Sequence, residues 1–551
     1  MIIGLDVGGT HTDAVLLDKG GLVRKVKVPT DPQNLFETIL QALAETIGET
    51  DPDTIHRVVL STTLATNLVV QQQLPPVGMV VAAGPGIDPE YFRTNDAYHV
   101  VKGALDHRGR EIEALDHDGI VALGQAFQRE GIRYAGVVSK FSVRNPQHEN
   151  AMADLLAPYV EQVFKGHDFS GGLNFPRRIA TTYLNAAVYP VYKKFFEAVQ
   201  RSLAQKGLSI PIRILRPDGG NMSFESSLGY PAQTILSGPS ASVMGTLAHA
   251  PGEGVSLVLD IGGTTTDMAV LIDGVPLLAP QGIEIPPYKT LIRALRTQSI
   301  GIGGDSTVRV RNGRITIGPD RTGKAMAYGG PAPTPTDAFY VLGLGRSGDP
   351  EKARQGLLPI AEAMGLSVEL AAEKIFELAC RGILDAAQKM VDAINDKPVY
   401  TVHELYEGSK IEPKQILLMG GPAPQFGEKL SDLFDGEVTV VPHWDVANAI
   451  GCALARTTSE LTLFADTARQ VLSVPGEQYS STISSHFSLE DARQMAHELL
   501  REKAVRRGAR RDHVQTEIIE ESAFNMIRGF QTVGKNIRVK AQIKPGLIEM
   551  E

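Results

Sequence analysis

The sequence predicts an α/β chain of two units, each holding one copy of a repeated hairpin, followed by a small α+β appendage. Three observations predict it: a strand–turn–strand motif that occurs twice, strand and helix patterns that alternate between and after the copies, and a change of pattern beyond residue 460. The motif reads Asp6-Val-Gly-Gly-Thr-His-Thr-Asp13 in the first copy and Asp260-Ile-Gly-Gly-Thr-Thr-Thr-Asp267 in the second. Apolar runs flank both copies (Ile2, Ile3 and Leu5 before and Ala14–Leu17 after; Val255 to Leu259 before and Met268–Ile272 after), so each predicts a β-hairpin with a Gly-rich tip.

The hairpin tips carry the first chemical signal. An Asp closing a buried strand is held rigidly, and two glycines bring unobstructed backbone N–H groups close to an anion, as a phosphate cradle requires. Thr10, Thr12, Thr264, Thr265 and Thr266 add hydroxyl donors. Hairpin turn chemistry alone also favours Gly, Asp and Thr, but it does not demand an Asp at both outer ends twice.

The elements then follow in order. Leu35, Ile39, Leu43 and Ile47 form a stripe behind the start signal Thr30-Asp31-Pro32, which predicts an amphipathic helix. Val58–Leu60, Val77–Ala82 and Ala135–Val138 read as buried strands and Gln147–Leu156 as a helix, completing a unit over residues 1–170. A second unit, 171–460, holds the second hairpin, a long helix over Val368–Ala393 and the strand Gln415–Met419. That strand runs into Gly420-Gly421-Pro422, and glycines at the carboxyl end of a strand let a loop approach a base or ribose in open α/β sheets. The last unit, 461–551, opens on a helix capped by Ser488 with Asp491 three positions on, and closes on a half-buried strand marked by Ile537, Val539, Ala541 and Ile543. Arg501, Lys503, Arg506, Arg507, Arg510 and Arg511 crowd the end of that helix and read as a solvated charged face, favourable at a helix C-terminus.

Composition narrows the functional classes. With 551 residues, 43% hydrophobic and 21% charged, the chain can bury sizeable cores and lacks the signature of disorder. A net charge of −9 argues against nucleic acid or an anionic membrane as partners. Cys380 and Cys452 are too few for a disulfide framework or an iron–sulfur cluster, which predicts a reducing cytoplasm. Apolar runs are too short to span a bilayer, and the opening strand leaves no room for a secretion signal. The segment Gly318-Pro-Asp-Arg-Thr-Gly-Lys324-Ala325 nearly spells a P-loop, but Ala325 cannot ligate Mg²⁺ and Gly329-Gly330-Pro331 would stop the required helix. The 13 histidines are scattered singly, without metalloprotease or zinc spacing.

Two Asp-Gly-Gly-Thr hairpins and a later Gly-Gly loop resemble the actin, sugar-kinase and chaperone ATPase superfamily, in which two related lobes clamp Mg-ATP. The closer resemblance is to the hydantoinase A/5-oxoprolinase family, carried by Gly4–Asp13, Ser61–Asn67, Asn185-Ala186 before Pro190, Asp218-Gly219-Gly220, Ser237-Gly238-Pro239, Asp260–Asp267, Ile300–Ser306, Pro335–Ala338, Met419–Pro424 and Val441 to Gly451. The chain departs from the family's pattern at His11, where Phe is frequent, at Asp305, where a third Gly is frequent, and over Arg321–Tyr328.

The resemblance implies a two-lobed actin-like ATPase fold with duplicated phosphate-binding hairpins. It implies an ATP-dependent hydrolase that phosphorylates the carbonyl oxygen of a cyclic amide or imide to drive ring opening. A small-molecule kinase, an ATP-dependent carboxylase subunit and a regulatory ATPase are the alternatives. It further implies Asp6 and Asp260 as anchors of Mg²⁺ or another divalent cation, with Asp13 and Asp267 joining them as catalytic carboxylates. Gly8, Gly9, Thr10, Thr12, Gly262, Gly263, Thr264 and Thr265 would hold phosphates, and Gly420 and Gly421 the adenosine. Thr62, Thr63, Asn67, Asp218 and Ser237 fall on the substrate side, where loop capping explains them equally well. The chain leaves no room for the B-type half of large 5-oxoprolinases, so a separate B-type subunit and an oligomeric assembly are expected.

Overall fold

Ile2–Val7 pairs antiparallel with His11–Asp18 and sets Asp6 opposite Asp13; Val255–Ile261 pairs with Thr266–Ile272 and sets Asp260 opposite Asp267. These pairings belong to a computed structural model, which describes the chain except residues 10, 32–33, 206–209, 251, 280, 397–409, 476, 478, 512–513 and 549–551. Alternate side chains of each hairpin go to opposite faces, and both faces are covered, so the strands are almost wholly apolar.

Each hairpin is part of a larger sheet, and the two sheets share a plan. In the first, Arg57–Thr62 lies parallel to Ile2–Val7, followed by Ile212–Leu215 and Asn221–Ser223, while Gly21–Pro29 closes the other edge. In the second, Gln415–Met419 lies parallel to Val255–Ile261, followed by Glu437–Val440, while Thr297–Ile300 flanks Thr266–Ile272. Each first strand therefore has a parallel neighbour whose carboxyl end emerges beside the hairpin tip. Those ends deliver Thr62-Thr63 in one lobe and Gly420-Gly421 in the other.

Each sheet has its own core. Ile3, Leu5 and Leu16 pack with Ile39 and Leu43 of helix Leu35–Ile47 and with Leu184 and Tyr192 of helix Phe175–Gln205. Leu257, Leu259 and Val270 pack with Ile375, Phe376 and Ile383 of helix Val368–Asn395. The first helix is capped by Asn34, whose side chain accepts from Glu37 N–H, rather than by the Thr30-Asp31-Pro32 signal; Asn at this place satisfies an orphan donor of the first turn, and Pro32 lies outside the described residues.

Two short helices join the lobes, Ser237–Thr246 and Ala447–Leu454. Small residues let their backbones touch: a Cβ on Gly245 would sit 2.1 Å from Ala447 O, and one on Gly451 2.3 Å from Ala241 O. Ala447–Leu454 also lies against the first hairpin, where a Cβ on Gly4 would meet Ala449 O at 2.0 Å. Backbone contact thus ties the two helices to each other and to the first hairpin, and the Ser242 hydroxyl, donating to Asp260 Oδ2, ties them to the second.

A four-stranded parallel sheet, in the order Gln162–Lys165, Tyr134–Ser139, Gly78–Ala82 and Tyr98–Val100, completes the N-terminal part. At the other end, helix Leu489–Arg506 carries the expected Ser488/Asp491 capping box and packs on a five-stranded antiparallel sheet through Ala492, Ala496 and Leu500. Its basic end is the solvated face expected from sequence at Arg506, Arg510 and Arg511, whereas Lys503 and Arg507 turn inward. Lys503 and Arg506 pair with Glu477 at 2.7 and 2.5 Å, Arg511 pairs with Glu498, and the buried Arg507 stacks over Tyr230. Glu477 and Tyr230, brought from elsewhere in the chain, receive the two inward-turned cations. Among the described residues no helix is long and apolar enough to cross a membrane.

Candidate functional site: a carboxylate cleft between two hairpin turns

Four carboxylates meet where the hairpins face each other. Asp6 is buried; Asn448 Nδ2 donates to its Oδ2 at 2.6 Å, while Oδ1 is buried and accepts no hydrogen bond. Burial pushes this carboxyl up to about 7, against the pull of Ser61 and Asn448 and helped by the charges of Asp13 and Asp260. Asp260 accepts from the Ser242 hydroxyl at 2.5 Å and is likewise raised, chiefly by burial. Asp13 pairs with Lys27 at 2.5 Å, yet desolvation still holds it above its ordinary value. Asp267 stands across the ladder from Ser299 and is pushed up to about 7 by desolvation and then by the charge of Asp260. Buried like charges of this kind are stabilised by a cation. Among the described residues, no three His, Cys, Asp or Glu side chains are arranged to hold a metal unaided.

The two tips make the same tight turn. Gly8 N–H donates to His11 O at 3.0 Å, and Gly262 N–H donates to Thr265 O at 2.9 Å. Their surroundings differ. Gly9 faces open space, whereas Gly304 N–H and Asp305 N–H brace the carbonyls of Gly262 and Gly263 at 2.9 and 2.6 Å. Arg321 reaches the same tip, with Nη2 2.8 Å from Asp305 Oδ2 and Nη1 3.4 Å from Thr264 Oγ1. Gly420 has φ +100°, and a Cβ there would fall 2.2 Å from Ile261 O and 2.6 Å from Asp260 Oδ1, so only glycine lets this loop lie against the carboxylate. Gly421 beside it is open.

The remaining residues singled out in the sequence divide into those at the cleft and those apart from it. Ser237 Oγ donates to Thr62 O at 3.0 Å and accepts from Thr62 N–H at 3.2 Å, while Thr63 N–H and hydroxyl both reach Val7 O at 3.3 Å. These three lie beside the first hairpin as loop fasteners. Leu236, just before Ser237, has φ +62°, a strained conformation held by Thr66 Oγ1 accepting from Leu236 N–H at 2.8 Å. Thr12 turns its buried hydroxyl to Thr30, 3.0 Å away. Asn67 lies on the exposed side of helix Leu64–Val70. Asp218 is fully buried and engaged by Thr458 at 2.8 Å and by Arg216 and Arg293, each at 3.5 Å, which hold it below its ordinary value despite burial. Thr10 lies outside the described residues. The P-loop look-alike runs as an irregular loop into a single 3₁₀ turn, Met326–Tyr328, without the helix a P-loop requires.

Four residues at the cleft were not singled out for a role there: Ser242, Asn448, Asp305 and Arg321. The last two are points of departure from the family's pattern, and they are ion-paired to each other.

Fold and site together define a mixed α/β protein of several sheets in which two hairpins with Asp-Val-Gly-Gly and Asp-Ile-Gly-Gly turns bring buried carboxyls within reach of one another's charge. The hydantoinase/oxoprolinase N-terminal region matches residues 2–160, and the hydantoinase/oxoprolinase domain matches 178–461. The chain belongs to the hydantoinase/oxoprolinase family. It is 25% identical over 509 residues to caprolactamase subunit alpha of Pseudomonas jessenii, covering 83% of this chain and 70% of that one. Nucleotide-free acetone carboxylase has the same fold at a TM-score of 0.73 with 18% identity, over 100% of this chain and 88% of that one. The crystal structure of the ATP-dependent caprolactamase of Pseudomonas jessenii gives 0.71 with 20% identity over the same shares.

Proposed function

We propose that this chain uses ATP to phosphorylate the carbonyl oxygen of a cyclic amide or imide and so drives ring opening. The observation that carries the reading is that the Asp-Val-Gly-Gly and Asp-Ile-Gly-Gly hairpins come close enough for their buried carboxyls to feel one another's charge. Membership of the hydantoinase/oxoprolinase family and the likeness to a caprolactamase subunit support it. An amide is a poor electrophile and its oxygen a poor leaving group; when bound, ATP supplies a phosphoryl group that changes both, and Mg²⁺ neutralises the charge that moves.

Asp6 and Asp260 fit a hard divalent cation: Asp6 Oδ1 is buried and unsatisfied, and Mg²⁺ takes one or two carboxylates, completing its shell with water and phosphate oxygens. Another divalent cation would suit the same donors. The Gly8 and Gly262 N–H groups are spent closing the turns, so the phosphate donors are the Gly9 and Gly263 N–H groups with the hydroxyls of Thr264 and Thr265, and Gly420-Gly421 gives the nucleoside a surface without side chains. Asn448 and Ser242 keep Asp6 and Asp260 oriented. Asp13 and Asp267 set the local field from the second strand of each hairpin. In this reading the two hairpin sheets are the sides of the clamp, the first drawing helix Phe175–Gln205 and strands Ile212–Leu215 and Asn221–Ser223 from beyond residue 170 into its core and sheet, while 461–551 is the appendage; ring opening is completed with a B-type subunit, as the subunit status of the caprolactamase relative suggests.

The acetone carboxylase likeness supports a second reading, with the same first step on a ketone oxygen. The test is the fate of phosphate when the chain, alone and with its co-purifying partner, meets ATP and a panel of lactams, cyclic imides and ketones with bicarbonate. Free phosphate with an opened ring is the result expected. A carboxylated ketone moves the protein to the second reading, a stable phosphate ester makes it a kinase, and turnover indifferent to substrate makes it a regulatory ATPase.

A further inference from the structure

Arg321 sits on the loop after strand Arg314–Ile317, far in sequence from both hairpins, yet its guanidinium overhangs the second tip. A Cβ built on Gly263 would lie 3.7 Å from its Cζ. All three nitrogens are oriented: Nε donates to Gly323 O at 3.0 Å, Nη2 to Asp305 Oδ2 at 2.8 Å and Nη1 faces Thr264 Oγ1 at 3.4 Å. Asp305 is itself fixed, its N–H donating to Gly263 O at 2.6 Å and its Oδ1 accepting from Thr336 at 3.3 Å. The charge of Arg321 also reaches the first hairpin, where the imidazole of His11 is held below its ordinary range by burial, then by Lys27, with Arg321 adding to them. The side chain remains 24% exposed. A guanidinium fixed over the second Gly-rich turn, partly open to solvent, in a site with four carboxylates, can take a multiply charged oxyanion through the N–H donors left over from its protein partners.

We propose that Arg321 contacts the terminal phosphate of the bound nucleoside triphosphate, and that Asp305 is the positioning residue that holds the guanidinium over the turn. The proposal rests on the ATP reading of the cleft. In the transfer step a lone pair of the substrate carbonyl oxygen forms the new O–P bond, and the bond from phosphorus to the bridging oxygen breaks with its electron pair passing to the diphosphate. Arg321 neither gains nor loses a proton; it neutralises charge on the phosphoryl oxygens in flight.

The experiment is calorimetric titration of the full chain with Mg²⁺ and either a non-hydrolysable ATP analogue or ADP. Wild type, Arg321→Gln, Arg321→Lys, Asp305→Asn and the double variant R321Q/D305N are compared, with melting recorded for each. Loss of a charged hydrogen bond predicts that Arg321→Gln weakens the triphosphate about tenfold to a hundredfold and leaves ADP within about threefold. Arg321→Lys falls between, and Asp305→Asn weakens the triphosphate selectively but adds nothing in the double variant, because it acts through Arg321. Equal losses for the two nucleotides, or no loss in either single variant, overturn the assignment. If Arg321→Gln does not fold, Arg321→Lys and Asp305→Asn decide on the same criterion. A wild-type chain that binds neither nucleotide rejects the ATP reading and this proposal with it, whereas wild-type binding with unchanged discrimination in the variants rejects the proposal alone.

Discussion

The two hairpins share a sequence pattern and a turn, but not an environment. Across the ladder from Asp13 stands Lys27; at the corresponding place beside Asp267 stands Ser299. The strand parallel to the first hairpin ends in Thr62-Thr63, pinned by Ser237 and Val7, while its counterpart ends in Gly420-Gly421, held open against Asp260. A side chain at Gly9 of the first tip would enter open space, whereas the second tip is fastened by the Gly303–Asp305 loop and Arg321. A duplicated motif conserves backbone geometry because the turn itself requires it, whereas each copy's neighbours come from different parts of the chain and are free to differ. The outcome is a cleft with one hairpin in which Asp13 has a cationic ladder neighbour and one whose carboxyls have none on the ladder.

The largest expected effect breaks both halves at once. Asp6→Asn and Asp260→Asn each lower ATP turnover by about a hundredfold or more, since each removes one of the charges proposed to hold the cation. Melting temperatures hold or rise, because each change also removes a desolvated carboxyl. A variant that keeps wild-type turnover takes its hairpin out of the clamp.

An exchange of the ladder neighbours sharpens the contrast. Asp267 titrates at about 7 in the folded chain against 3.8 for the unperturbed group, so the native state holds its proton more tightly. Its contribution is present at low pH and is lost as pH rises through about 7, with a slope of up to about 1.4 kcal/mol per pH unit. Ser299→Lys places an ammonium beside the carboxylate, lowers its titration and flattens that slope. Lys27→Ser removes the ammonium from Asp13 and steepens the loss of stability. Urea midpoints from about pH 5 to about pH 8 check both, and slopes unchanged in both variants contradict the ladder account.

Much of this plan was legible in the sequence. Helix Val368–Asn395, strand Gln415–Met419 and the Ser488 cap carry periodic or capping signals that local physics reads directly. Helices Ser237–Thr246 and Ala447–Leu454 carry no stripe, because they are short, buried on nearly all sides and rich in small residues; Ser242 and Asn448 were hidden with them. Helix Phe175–Gln205 contains Pro190 and buries Arg178, Thr182 and Asn185, which masks its apolar face. Arg321 lay in plain view inside a segment that spells almost a P-loop, and only the fold brings it to the second tip. The smallest predicted effect follows from that distinction: Lys324→Ala leaves nucleotide affinity within about tenfold, about 1.4 kcal/mol, by the titration used for Arg321.

The central claim is that two hairpins build one site. Calorimetric titration of the wild-type chain with Mg²⁺ and a non-hydrolysable ATP analogue measures it directly, in parallel with Asp6→Asn and Asp260→Asn. One nucleotide per chain, with binding weakened in both variants, is the result the account predicts. Two independent nucleotides per chain, or a loss confined to one variant, would contradict it.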